Sequence, residues 1–152
     1  MGLTSTSGCP IPTTCGRIIL NAQKIDGQNI LPLLTNVAGA KSPQKAYFFY
    51  YNTGELHAVR SGRWKLILPH SYRTMRGQAA GKDGRPGQYR MVHVGQELYD
   101  LESAPQESRE CSVEHPEIVK QLLEFVEAAR SDLGDSLTKR TGTGIRPAGK
   151  LD

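Results

Sequence analysis

The sequence predicts an α+β domain in which about four antiparallel strands pack against one long C-terminal helix. Between residues 46 and 70, three runs rich in aromatic and β-branched residues are separated by the turn-forming segments 52–54 (Asn-Thr-Gly) and 61–63 (Ser-Gly-Arg). Near the C-terminus, the stretch "EHPEIVKQLLEFVEAARSDLG" repeats apolar residues at helical spacing. A strand meander followed by one amphipathic helix is typical of the α+β class.

The first part of the chain has weaker patterns. Residues 1–24 are rich in Thr, Ser, Gly and Pro and predict an irregular N-terminal segment, whereas residues 25–150 are expected to form one domain. Within "KIDGQNILPLLTNVAG", a turn is expected at Asp26-Gly27, followed by a connector with one helical turn interrupted at Pro32.

The central residues predict the strands of the sheet. Trp64, Leu66 and Leu68 share one face by the two-residue period, so Trp64 is expected to pack in the core. Residues 71–96 contain Gly and Pro too often for a helix or a central strand and predict a long surface loop. "ELYDLE" then resumes an alternating pattern and predicts the fourth and last strand.

The C-terminal helix has start and stop signals at both ends. Pro116 suits a first helical turn, Glu117 suits the positive end of the helix dipole, and Gly134 can end the helix. The apolar face should lie across the sheet; it comprises Ile118, Val119, Leu122, Leu123, Val126 and Ala129. The following tail, "TKRTGTGIRPAGKLD", is expected to be flexible and basic.

Composition and charge restrict the function classes. With 152 residues, 38% of them apolar, the chain is long enough for one domain with a modest core. The net charge of +4 conceals a division: residues 60–90 hold eight Lys or Arg and one acid, Asp83, whereas residues 95–135 are mainly acidic. The basic block predicts either a surface for anionic ligands or a solvated face that pairs with the acidic block.

Several functions lack their sequence signals. No run is long enough to span a membrane, and the first residues have neither the charged nor the apolar part of a signal peptide, which leaves the location of the protein open. Three cysteines and four scattered histidines show no zinc or disulfide pattern. No nucleophile elbow and no nucleic-acid-binding signature accompany the basic residues.

An ordered set of motifs resembles a known family. "KIDGQNILPLL", "YFFYY", "AVRSGRWKLI", "ELYDLE" and "EHPEIVKQLLEFVEAARSDLGD" follow one another as in the C-terminal region of sulfatases of the arylsulfatase type, from about Lys24 to Gly149. The resemblance implies that residues 25–150 form the smaller, antiparallel domain that such enzymes append to an α/β catalytic domain. It also implies sulfuric ester hydrolysis by the complete enzyme.

The motifs that the family uses for catalysis are not found in this sequence. The resemblance implies a formylglycine made from a C/S-x-P/A-x-R motif and a divalent cation such as calcium, both in the catalytic domain. "CPIPT" at Cys9 and "CGRII" at Cys15 do not match that motif. We therefore expect no catalytic residue, metal ligand or cofactor in this chain, which would be a truncated or rearranged form, inactive alone. The missing catalytic domain is its expected partner.

The hairpin "HAVRSGRWKLILPH" supplies the candidate substrate-binding residues. If the domain adjoins the cleft of a complete sulfatase, Arg60 is placed to bind a carboxylate or sulfate, and His57 and His70 to donate hydrogen bonds to hydroxyl groups.

Two alternatives to this cleft role remain open at this point. The cations Arg60, Arg63 and Lys65 would instead pair with acids of a neighbouring strand; these acids are Glu97, Asp100 and Glu102. A free-standing chain would bind anionic ligands such as sulfated glycans.

Overall fold

The computed structural model describes residues 27–146, and the chain divides into two compact units, Met1–Lys45 and Ala46–Asp152. In the first unit, a single helical turn, α1 (Leu31–Leu34), contains a proline near its start, as the sequence predicts. The expected irregular segment 1–24, and Asp26 of the expected turn, lie outside the described residues.

The second unit confirms the predicted α+β class. Its main sheet has four antiparallel strands in the order β1-β2-β3-β6, and a second pair of strands, β4 and β5, forms a separate antiparallel ribbon. The elements in chain order are β1 (Tyr47–Tyr51), β2 (Glu55–Ser61), β3 (Trp64–Ile67), β4 (His70–Thr74), β5 (Arg90–Val94), β6 (Glu97–Asp100), α2 (Pro116–Leu133), β7 (Gly134–Asp135), a short 3-10 helix (Ser136–Thr138) and β8 (Arg140–Thr141).

Both predicted hairpin turns are present. Strands β2 and β3 are joined by only two residues, and Gly62 adopts a φ of 57°, the left-handed conformation that glycine tolerates best. The turn between β1 and β2 likewise places Asn52 and Gly54 at positive φ. These short turns fix the antiparallel register of the first three strands.

A bulge interrupts the regular alternation of β2. Phe49 pairs with Ala58 and Tyr50 pairs with Leu56, so His57 is the extra residue between the two pairs. In a regular strand, Leu56 and Val59 would face opposite sides, yet both are fully buried in the same core cluster. The bulge therefore turns both apolar residues inward and His57 outward.

The core lies between the sheet and α2. Strand residues Leu66 and Leu98, which are register partners, are completely buried beside Val59. The helix contributes four buried residues on the face that the sequence predicts; they are Val119, Leu122, Val126 and Ala129. Trp64 packs against this cluster as a partly buried residue, consistent with its predicted face.

The predicted surface loop over residues 71–96 is confined to residues 75–89, because the residues on both sides of it form strands. Strands β4 and β5 form a ribbon that pairs His70 with Val94 through Thr74 with Arg90. Their sequences, "HSYRT" and "RMVHV", contain β-branched and aromatic residues but no continuous apolar face, so the frequent Gly and Pro between them dominate the sequence pattern.

The expectation of a flexible tail also needs correction for its described part. Strand β8 pairs with β7, and Thr143 N donates a hydrogen bond of 2.9 Å to Ser131 O of α2. The backbone after the helix therefore folds back on it, at least as far as residue 144, whose N donates to Asp132 O at 2.8 Å.

A buried carboxylate fixes this return of the chain. The residue Asp135 is only 1% exposed. Its carboxylate accepts hydrogen bonds from Leu56 N at 3.2 Å, Leu137 N at 3.1 Å and Arg130 Nε at 2.9 Å. One group thus satisfies donors of β2, of α2 and of the 3-10 turn. Because Arg130 and Leu56 belong to opposite layers, Asp135 ties the end of the helix to the sheet.

Replacing Asp135 by Asn should lower the free energy of unfolding by about 2 kcal/mol, because the partly buried Arg130 keeps Glu127 but loses the fully buried carboxylate that binds its Nε. Urea denaturation followed by circular dichroism measures this change. The matched control is Glu124→Gln, the same acid-to-amide change at an exposed position of α2, which should cost less than about 0.5 kcal/mol. Equal stability of the two variants would refute the anchoring role of Asp135.

Candidate functional site

The face of the sheet opposite α2 carries aromatic and polar side chains. Lys65 and Tyr99 are register partners next to the buried pair Leu66 and Leu98, and therefore point to the opposite side. The Lys65 ammonium lies 5.1 Å from the centroid of the Phe49 ring. We call this side the polar face; it comprises Tyr47, Phe49, Tyr51, His57, Arg60, Lys65, Ile67, Glu97 and Tyr99.

Two of the three predicted substrate-binding residues meet beside the polar face. The rings of His57 and His70 stack with centroids 3.8 Å apart and an interplanar angle of 21°. The β2 bulge presents His57, and Leu68 N donates to His57 O at 2.8 Å, which extends the hairpin towards His70. The structure therefore brings together residues from two different strands.

Hydrogen bonds fix the orientation of both rings. His57 Nε2 lies 2.9 Å from Glu55 Oε2, and His70 Nδ1 lies 2.7 Å from Leu68 O. A carbonyl oxygen only accepts, so Nδ1 of His70 carries a proton and donates it. In the neutral His70 ring, Nε2 is therefore a hydrogen-bond acceptor.

The pKa values of this group favour a neutral His70 beside an ionised Glu55. Burial lowers the pKa of His70, the hydrogen bond to Leu68 O opposes that shift, and the neighbouring His57 lowers the pKa further. Hydrogen bonds from His57 and Asn52 lower the pKa of Glu55. With His70 neutral, its ring can accept a hydrogen bond at one nitrogen while it donates one from the other.

The third predicted residue, Arg60, lies apart from the histidines. Its Nε donates to Gly62 O at 3.1 Å, at the turn end of the β2–β3 hairpin. There it lines a depression of about 350 Å³ together with Gly62, Arg63, Leu101 and Glu102. The predicted set therefore divides into a histidine pair and a separate arginine.

The alternative of cross-strand ion pairs holds for Arg63. Arg63 Nε donates to Asp100 Oδ1 at 2.7 Å, and its NH1 lies 2.8 Å from Glu102. The hydrogen bond from Arg63 lowers the pKa of the Asp100 carboxyl.

The partner of Lys65 differs from the one expected. Lys65 binds Glu107 Oε1 at 2.6 Å, and Glu107 lies in the turn after β6 rather than on a strand. Glu97, which was expected to pair with a cation, instead accepts a hydrogen bond from the Tyr99 hydroxyl at 2.6 Å.

A second depression, of about 320 Å³, lies where the β4–β5 ribbon meets the polar face. We call it the ribbon cleft; it is lined by Ile67, His70, Tyr72, Val94, Glu97, Tyr99 and Glu107. Burial raises the pKa of the Tyr99 phenol, which therefore stays protonated and donates to Glu97. Sequence reasoning found only His70 of this group, because the ribbon itself was not predicted.

Hydrogen bonds to the side chain of Glu110 and to the backbone of β6 fix the turn after β6. Glu110 accepts hydrogen bonds from Leu98 N at 3.1 Å and from Ser112 N at 2.7 Å, and these bonds lower its pKa. Cys111 N also donates to Leu98 O at 3.0 Å. The acid at position 110 thus holds the segment that carries Glu107 beside β6.

Two negative observations apply to the described residues. Across residues 27–146, no group of three or more His, Cys, Asp or Glu side chains is arranged to hold a metal ion. Over the same residues, no helix is long and apolar enough to cross a membrane.

Comparisons with known proteins agree with the motif order. The family described as the C-terminal region of aryl-sulfatase matches residues 42–148. A curated relative, the N-acetylgalactosamine-6-O-sulfatase of Bacteroides thetaiotaomicron, is 26% identical over 101 residues, which are 64% of this chain and 18% of the relative. The chain therefore spans less than a fifth of the length of that relative.

The stacked histidines predict a specific titration. The pKa of His70 should lie below the ordinary value of 6.5, and His57→Gln should raise it, because the variant removes the charge interaction with His57 that lowers it. NMR of the histidine Cε1–Hε1 signals against pH measures both values. His115→Gln, on the opposite side of the sheet beside Trp64, should leave the curve unchanged. A pKa of His70 above 6.5 would contradict the described packing.

Proposed function

The chain belongs to the family of aryl-sulfatase C-terminal regions, and on that premise we propose that it forms the C-terminal part of a sulfuric ester hydrolase. The family match over residues 42–148 is the observation that carries this proposal. The name of the Bacteroides relative indicates an enzyme that acts on the 6-O-sulfate of N-acetylgalactosamine. Sulfated sugars are therefore the substrate class that we propose for the complete enzyme.

In this proposal, the polar face contributes to the substrate cleft of the complete enzyme. The stacked pair of His57 and His70 supports the idea, because Glu55 and Leu68 O fix both rings before any ligand binds. Residues held on strands by such contacts are suited to precise recognition. The histidines would donate to, or accept from, the hydroxyl groups of the substrate.

Arg60 would serve a separate part of the ligand. Its hydrogen bond to Gly62 O uses Nε, and a guanidinium held in this way still has two terminal nitrogens for a carboxylate or sulfate. Because Arg60 and the histidine pair lie at different ends of the hairpin, we expect them to contact different groups of one extended substrate.

The chemical step would depend on a catalytic domain. The described residues do not form a metal site, and neither cysteine motif near the start of the sequence matches the formylglycine pattern. We therefore propose that the nucleophile and the cation act from a catalytic domain joined to this region. Family membership does not favour the alternative of a free-standing module for anionic ligands, and Arg63 and Lys65 already bind carboxylates.

The 152-residue chain alone should not hydrolyse an aryl sulfate in the presence of calcium. Release of the phenol is followed by absorbance and compared with the same chain after heat denaturation. Turnover by the folded chain above that control would show that the catalytic groups reside in this chain.

A fusion enzyme tests the cleft contribution. Residues 42–148 would replace the matching segment of the Bacteroides relative, and the sulfatase activity of the fusion would be measured. His70→Ala and Arg60→Ala should each lower kcat/KM about tenfold, equivalent to about 1.4 kcal/mol of transition-state binding. Lys120→Ala, at an exposed position of α2, is the control and should have no effect.

The outcome of the fusion experiment can also reject the proposal. If the fusion is active and both site variants retain the kcat/KM of the parent, the polar face, including Arg60, does not line the cleft. If only Arg60→Ala lowers activity, the histidine pair has no role in substrate binding.

A further inference from the structure

We propose that the ribbon cleft binds an uncharged sugar ring, as a subsite separate from the one that receives the sulfate group. The choice of a sugar rests on the proposed function, whereas the preference for an uncharged ring rests on the lining of the cleft. The depression of about 320 Å³ lies at the lower end of the size range of small-ligand pockets, which suits one monosaccharide.

The charges of the cleft exclude an anion. Its described lining includes two carboxylates, Glu97 and Glu107, and no lysine or arginine. The ammonium of Lys65 lies beside the cleft but is held 2.6 Å from Glu107, so it compensates only one of the two acids. A sulfate in this position would face an uncompensated like charge at short range.

The polar atoms of the cleft are mainly acceptors. His70 uses Nδ1 to donate to Leu68 O, which leaves Nε2 as an acceptor in the neutral ring. Glu97 receives the Tyr99 hydroxyl on one oxygen, and Glu107 receives Lys65 on one oxygen. Each carboxylate therefore retains a second oxygen, and three acceptors from three segments suit the several hydroxyl hydrogens of a sugar.

The remaining walls are aromatic and aliphatic. Tyr72 of the ribbon is 43% exposed, and the partly buried Tyr99 faces the cleft from β6. Ile67 and Val94 add apolar surface from the sheet and the ribbon. Rings beside acceptors match a pyranose, which has apolar C–H faces and a rim of hydroxyl groups.

An organic ammonium ion is the competing occupant, since it also seeks aromatic rings and carboxylates. Lys65 already supplies an ammonium to Glu107, and Tyr99 already donates to Glu97. A second cation would have to share or displace these donors. Hydroxyl groups can use the remaining oxygens without disturbing either contact, and the structure thus favours the neutral ligand.

Titration of the full ¹⁵N-labelled chain tests the subsite. N-acetylgalactosamine, the uncharged sugar in the name of the relative, should produce saturable amide shifts at Tyr72, Val94 and Tyr99, with a Kd on the order of 1 to 10 mM, as expected for a single small ligand. Sodium sulfate and tetramethylammonium chloride, compared with each other at equal ionic strength, should not shift these signals.

Variants connect the shifts to the cleft. Tyr72→Ala and Glu97→Gln should each weaken sugar binding at least about fivefold, equivalent to about 1 kcal/mol. Tyr89→Ala removes another exposed tyrosine ring, which lies outside both the cleft and the polar face, and should bind like the parent. The spectra themselves show whether each variant is folded; if Tyr72→Ala does not fold, Tyr72→Leu, which keeps apolar bulk but removes the ring, gives the same test.

Three results would overturn the subsite. The first is the absence of amide shifts with sugar up to about 50 mM, a concentration well above the expected Kd. The second is a set of selective shifts with sulfate or with the ammonium ion. The third is sugar binding by both cleft variants with the affinity of the parent. Sugar binding by the chain alone is independent of hydrolysis. If the chain binds sugar in the cleft but the His70→Ala and Arg60→Ala fusion variants keep the kcat/KM of the parent, the proposed cleft role is rejected and the subsite is kept. If both fusion variants lose activity but the chain does not bind sugar, only the subsite is rejected.

Discussion

The arrangement of the second unit depends on the buried carboxylate of Asp135, which joins the long helix to the sheet. This carboxylate accepts hydrogen bonds from β2 through Leu56 N and from α2 through Arg130 Nε. Leu56 is part of the core strand next to the bulge, and Arg130 lies in the last turn of the long helix. Because the helix is held against one face of the sheet, the opposite face carries the polar and aromatic residues. Asp135 thereby helps to hold α2 on the apolar face, and the polar face of the sheet stays available for recognition.

The bulge in β2 places His57 on the polar face, where it forms part of the candidate site. It allows Leu56 and Val59 to enter the same core and leaves His57 on the other side, where its ring stacks on His70. The β4–β5 ribbon begins at His70 and brings Tyr72 over the same region. The histidine pair and the ribbon cleft are thus adjacent and share one residue. Recognition by the polar face would therefore combine a rigid hydrogen-bonding pair with an aromatic subsite.

The sequence predicts the parts of the fold that have strong local patterns. The helix from Pro116 to Leu133, the tight turns and β6 follow from periodicity and turn residues, and the family resemblance is confirmed by the match over residues 42–148. The ribbon was missed because its two strands are short, polar and separated by a Gly- and Pro-rich loop. The bulge at His57 has no clear local signal, since it depends on pairing with β1. For that reason the sequence names candidate residues but not their grouping: His57 stacks on His70, whereas Arg60 lines a separate depression.

Under the proposed function, the polar face of this region would line the substrate cleft of a complete sulfatase. The most direct measurement is a crystal structure of the active fusion enzyme with a non-hydrolysable sulfated sugar bound in its catalytic site. The account predicts that the sugar extends from the catalytic domain onto the polar face, with hydroxyl groups in hydrogen-bonding contact with His57 or His70. A bound ligand that leaves this face in solvent, or a polar face turned away from the catalytic site, would contradict it.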